Sequence, residues 1–175
     1  MAAAAVAFLA GEEASFTSGA VLLLDGAGVT ARLGSRARRS PKEHHVSSFS
    51  VVNLLEVENS VGERVPGIEG RFARKHLDSE DLGVSLFRYA PDLRSPLAHA
   101  HREQEEAYVV VAGSGRILLD GEVRELRQWD VVRVAPAVVR AFEAGPDGLD
   151  LIAIGGPKPE GGDGVPGEAT WPDSQ

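Results

Sequence analysis

Apolar residues fall in short runs separated by turn formers: FSVVNLLEVE, LGVSLFRYA, EAYVVVAG, GRILLD, EVREL, DVVRVA, VVRAFEA and LDLIAIG. The runs are rich in Val, Leu, Ile, Phe and Tyr and recur every 8 to 12 residues or so, which predicts an all-β sandwich or barrel. Within RILLDGEVREL the pair Asp120-Gly121 separates two alternating stretches. Asp-Gly supplies the positive φ angles of a tight type I′ hairpin, so a hairpin is expected there. The segment GERVPGIEGRFARKHL reads as loop with one short helical turn, leaving His76 on the surface.

Side chains alternate across a strand, so His99 and His101 point the same way. If the chain turns near Glu103 and re-enters a strand, Glu106, Tyr108 and Val110 share one face while Ala107, Val109 and Val111 share the other. Two imidazoles and a carboxylate on an inward face form a nitrogen and oxygen donor set with open positions, suited to iron, manganese, zinc or nickel. Imidazole ligates only when neutral, so binding would weaken below about pH 6. The bland alternative is a pair of hydrogen-bonded histidines beside a loop.

Composition narrows the rest. A chain of 175 residues holds one domain plus tails, and 43% hydrophobic residues with a net charge of −8 describe an acidic globular protein. That charge argues against a nucleic-acid binder, which needs basic clusters, and favours a small molecule or another protein as partner. With no cysteine there is no disulfide, thiolate zinc site or cysteine nucleophile. No stretch reaches the roughly 18 to 20 apolar residues of a membrane span. The start, MAAAAVAFLAG, lacks a basic leading region, so a cytoplasmic location is expected. RLGSRARRSPKEHH, Arg32 to His45, reads as a solvated basic linker, with His44 and His45 in it. GGPKPEGGDGVPGEATWPDSQ is too rich in glycine, proline and acid to offset its ordering entropy and reads as a tail, from which Trp171 can dock back onto the core.

SPLAHAHREQEEAYVVVAG resembles the first signature of the cupin superfamily: histidine, one residue, histidine, four residues, glutamate, six residues, glycine, met by His99, His101, Glu106 and Gly113. WDVVRVAPAVVRAFEAG is similar to the second signature at Asp130 and Pro136, but has Trp129 and Ala137 where glycines are usual and Arg140 where a third histidine stands. The resemblance covers roughly residues 49 to 156. It implies a double-stranded β-helix or jelly-roll barrel, a metal on His99, His101 and Glu106, and a homodimer. It names a pocket rather than a reaction, because relatives include dioxygenases, isomerases and non-catalytic sensory modules.

Arg140 is the departure. A guanidinium stays protonated and has no lone pair, so it cannot ligate. Two arrangements follow. Either a divalent metal binds with an anionic ligand bridging it to Arg140, or no metal binds and Arg140 pairs with Glu106 across the barrel. Tyr108 and Phe142 are candidates to line the pocket or to pack in the core. Trp129 reads as packing.

AAAVAFLAGEEASFTSGAVLLLDGAG is similar to the C-terminal end of short-chain dehydrogenases, where a helix, a turn and a last strand lead to Asp-Gly. Residues 2 to 31 are covered, with no dinucleotide glycine motif and no tyrosine–lysine pair, so no catalytic residue carries over. The expected organisation is therefore a dehydrogenase-tail-like remnant at 1–31, a basic linker at 32–48, a cupin barrel at 49–156 and a flexible tail at 157–175.

Overall fold

A computed structural model describes residues 49 to 172. The remnant and linker expected at 1–48, with His44 and His45, lie outside the described residues. The described chain forms one eight-stranded curled sheet and two 3-10 turns, Leu54–Glu56 and Gly62–Arg64. The strands are β1 Ile68–Phe72, β2 Gly83–Tyr89, β3 His99–His101, β4 Glu106–Leu119, β5 Glu122–Arg127, β6 Val131–Val134, β7 Arg140–Gly155 and β8 Gly164–Pro166. This is the all-β architecture expected from the rhythm of apolar runs, in the jelly-roll form that the cupin resemblance implies.

β4 and β7, of 14 and 16 residues, run antiparallel along most of their length and carry the fold. Their register breaks between Val110 and Ala112 and again between Gly113 and Gly115, so both strands bend and serve two halves of the barrel. Gly113 has φ +71, and a Cβ there would stand 2.0 Å from Gly148 O. Only glycine allows so close a backbone approach in that conformation. Around this pair the sheet runs β1-β2-β7-β3-β8, with β5 and β6 on β4. The β4–β5 hairpin turns at Asp120 and Gly121, with φ 48 and 89, as the Asp-Gly pair dictates.

The inward faces meet in one core that includes Phe72, Tyr89, Tyr108, Val110, Ile117, Phe142, Leu149 and Leu151. Val110, Ile117 and Leu151 are wholly buried, each contributing about 1.5–3 kcal/mol. A second cluster joins Ala98, Leu118 and Ala141 to Trp171.

Three elements differ from the sequence reading. FSVVNLLEVE is not a strand: Asn53 accepts a hydrogen bond from Leu55 N–H at 3.0 Å and starts a 3-10 turn, while Val51 and Leu55 stay exposed. IEGRF, taken as loop, is β1; its inward positions are Ile68, Gly70 and Phe72, and the glycine hides the alternation. Gly70 is needed because a Cβ would meet Val61 Cγ2 at 2.4 Å.

The third difference is the tail. Residues 164–166 pair with β3, matching His99 with Pro166, Ala100 with Val165 and His101 with Gly164. Trp171 is 3% exposed beneath Arg94 and Arg116, whose guanidinium carbons lie 4.7 and 5.6 Å from its ring centre. Both arginines bind Glu143, Arg116 Nη2 at 2.6 Å. Cation–π contacts and burial of a large ring thus order a strap whose composition alone would leave it loose. Among the described residues no helix is long and apolar enough to cross a membrane.

Candidate metal centre

Three strands converge on one point. β3 supplies His99 and His101 on the same side, the start of β4 supplies Glu106 and Tyr108, and the start of β7 supplies Arg140, whose backbone is in register with His99. The side chains of His101, Glu106 and Arg140 are at most 1% exposed. His99 is 26% exposed, so it is the member of the group open to solvent.

Glu106 Oε2 is the hub. His101 Nε2 lies 3.1 Å from it, His99 Nε2 3.8 Å and Arg140 Nη2 2.8 Å, and the Tyr108 hydroxyl donates to it in a short contact. The two imidazole rings stand edge to face, centres 5.2 Å apart. One ligand atom each from His99, His101 and Glu106 lie within 4.8 Å of one another.

Electrostatics follow from burial and these contacts. Burial alone would raise the Glu106 carboxyl, but the imidazoles of His101 and His99 set against it outweigh this and hold it well below the usual range. Desolvation lowers His99, and the Arg140 charge adds to this against the pull of Glu106, so the ring is neutral at pH 7 with a lone pair to give. Burial pushes the Tyr108 hydroxyl well up, helped by Glu106, so it remains a donor.

Arg140 serves as a staple. Its Nε donates to Tyr108 Oη at 3.3 Å, Nη1 to Pro136 O at 3.2 Å and Val138 O at 3.0 Å, and Nη2 to Glu106. Four of its five N–H groups are used inside the barrel. Pro136 O also accepts His101 N–H at 2.7 Å, which ties the β6–β7 turn to β3. Of the two pocket candidates, Tyr108 sits in the centre, while Phe142 packs edge-on against it at 4.9 Å and is 4% exposed, within the core. Trp129, read as packing, is 68% exposed, held at φ 74 in the turn before β6.

The sequence reading missed Asp163. This residue of the strap is 1% exposed and receives Glu103 N–H at 3.0 Å, Gln104 N–H at 2.7 Å and His101 Nδ1 at 2.9 Å. Burial would raise its carboxyl, but those hydrogen bonds lower it, so it is ionised. An ionised acceptor requires Nδ1 to carry the proton. His101 Nε2 is then the nitrogen left to ligate, and it lies buried 3.1 Å from Glu106 Oε2 without a hydrogen bond. A carboxylate on the far nitrogen of a histidine is the usual support for a metal-binding imidazole. By this measure His99, His101 and Glu106 fit a divalent ion, and the guanidinium on Glu106 is the feature that works against it. The only signals for Asp163 in the sequence were Val165 and Trp171, apolar residues inside an otherwise polar end.

No protein-family model matches the sequence, and no curated protein matches it. Solved structures match in fold, each with a TM-score of 0.53. A cupin protein from Bacteroides fragilis is 21% identical, over 70% of this chain and 92% of that one. A polyketide cyclase from Streptomyces resistomycificus is 16% identical, over 61% and 78%. A sugar phosphate isomerase of a cupin superfamily from Silicibacter pomeroyi is 18% identical, over 62% and 76%. At such identities the likeness is one of fold, and the chain has the cupin fold. Nothing in these likenesses supports the resemblance of residues 2–31 to short-chain dehydrogenases.

Proposed function

We propose that this cupin barrel holds one divalent cation on His99, His101 and Glu106 and takes a small anionic molecule beside it, entering from the His99 side. The observation that carries the reading is the buried Nε2 of His101, which faces Glu106 Oε2 at 3.1 Å without a hydrogen bond and whose other nitrogen is committed to Asp163. When bound, the ion supplies a Lewis-acid centre with open positions for a ligand.

The chain's own residues do the rest. Asp163 fixes the His101 tautomer, and Arg140 and Tyr108 orient Glu106. Without an ion the two ionised carboxylates outweigh Arg140, and an anion would be repelled. With a divalent ion the balance turns positive by one charge, so metal and anionic ligand go together. The fold leaves the reaction open, since a cyclase and an isomerase share it.

A second reading is favoured by one contact, the 2.8 Å pair of Arg140 with Glu106, both fully enclosed. Here Arg140 takes the place of the ion, and the barrel is a metal-free binding module. Loading the protein with manganese, iron, nickel or zinc, then desalting, separates the two. Near-stoichiometric metal that disappears in the His99→Ala, His101→Ala double variant is expected, with Arg140→His binding more tightly than wild type. Equal absence of metal in wild type and double variant rules out the first reading and leaves the second.

A further inference from the structure

We infer that the outward face of the barrel wall formed by β2, β7, β4 and β6 binds the same face of a second copy of this chain. One row across these strands sets Leu86, Ile152, Val109 and Val131 side by side in register. The next row sets Val84, Ile154 and Ala107 beside Arg133. Along β4 and β7 these positions alternate with the core residues Tyr108, Val110, Leu151 and Ala153, so both rows face outward. A sheet face left to water carries polar side chains in that alternation, whereas here β4 and β7 are apolar on both faces.

One side of the wall is covered by the chain itself. Leu86 is 4% exposed, and its neighbour on β1, Arg71, donates from Nη1 to Leu55 O at 2.9 Å and to Val57 O, which brings residues 55–57 over the sheet. Toward β6 that cover ends, leaving Ile154 38% and Val131 65% exposed. Trp129, two residues before Val131, adds an exposed ring. Its N–H donates to Val110 O at 2.8 Å and its φ is 74, a conformation that suits glycine and strains a bulky residue. Contact on the ring gives that strain a use, since buried tryptophans are the commonest anchors of protein interfaces.

Charge selects the occupant. The charges set among and beside these rows are Arg71, Arg88 and Arg133 against Glu69, Asp150 and Glu105. They cancel, and they pair within the face: Arg88 with Asp150 at 3.1 Å and Glu69 at 3.6 Å, Arg71 with Glu69, and Arg133 with Glu105. The face is therefore neutral on a chain of net charge −8 and offers no field to a charged partner. A second copy meets it with the same apolar rows and the same balanced border, as two-fold pairing requires, and turns the acidic remainder of each chain away.

Sedimentation of the full chain tests this, loaded at about 50 µM, where a pair of micromolar affinity is associated. A species of twice the 18.5 kDa chain mass is expected. Val131→Glu places a charge in the contact at an exposed position and should raise the dissociation constant about thirtyfold or more over a dilution series, with circular dichroism unchanged. Trp129→Gly suits the φ of its turn, so a similar weakening there reads the lost ring rather than a disturbed turn. A full chain that sediments at the single-chain mass overturns the inference and leaves the face to residues 1–48 or to a different protein. An unchanged dissociation constant in either variant overturns it too, because the pair then forms elsewhere.

Discussion

Asp163→Asn changes one atom of a buried side chain and should change the chemistry of a histidine on another strand. Asp163 Oδ2 accepts Glu103 and Gln104 N–H at 3.0 and 2.7 Å, and Oδ1 faces His101 Nδ1 at 2.9 Å. An asparagine satisfies the two backbone donors by placing its oxygen there, which turns its amide nitrogen, a donor, toward His101. Nδ1 must then accept, and the proton moves to Nε2, the atom that faces Glu106. Two backbone hydrogen bonds weaken from the charged range of about 1.5–3 kcal/mol to the neutral range of about 0.5–1.5 kcal/mol, a loss of about 2 kcal/mol. At roughly 2–4 °C per kcal/mol for a chain of this size, Tm should fall by roughly 4–8 °C. Metal affinity should fall by about 10–100-fold, the usual effect of losing such a support. Nitrogen-detected NMR of the metal-free protein reads the tautomer directly: proton on Nδ1 in wild type, on Nε2 in the variant. A variant that keeps the proton on Nδ1, or binds metal as wild type does, would refute the reasoning.

Three further outcomes are expected. Trp171→Ala removes a ring that is 3% exposed and should cost about 3–5 kcal/mol by chemical denaturation, with faster amide exchange at Val165 as β8 loosens. Gly113→Ala places a methyl 2.0 Å from Gly148 O at a left-handed φ and should cost about 2–5 kcal/mol, read by thermal melting. In metal-free protein, stability should fall as pH drops below about 6.5. The unfolded chain then protonates His99 while the folded one resists, and below about 4.5 the lowered Glu106 and Asp163 act with the same sign. Urea midpoints between pH 8 and 3 check this, and a flat profile would contradict it.

Much of the centre could be read from residue order because its parts are local. His99 and His101 share a face by the two-residue period of a strand, Glu106 follows by parity, and Asp120-Gly121 sets a hairpin by its own φ preferences. The repeated apolar runs likewise require a sheet whatever their pairing. Strand β1 was hidden because Gly70 carries no side chain to mark the inward face, its small size being demanded by Val61 from another segment. FSVVNLLEVE misled because apolar content says nothing of whether a neighbouring strand is available.

What only the tertiary structure decided is the partner of each group across the barrel. Residues 62 apart join Asp163 to His101, and residues 34 apart join Arg140 to Glu106. The strap's own sequence favours disorder, and it is ordered by what Trp171 and β8 meet on distant strands. Local preference fixes the direction a side chain takes from its strand. Which charge it finds there depends on chain closure over long separations, and no window of sequence contains that information.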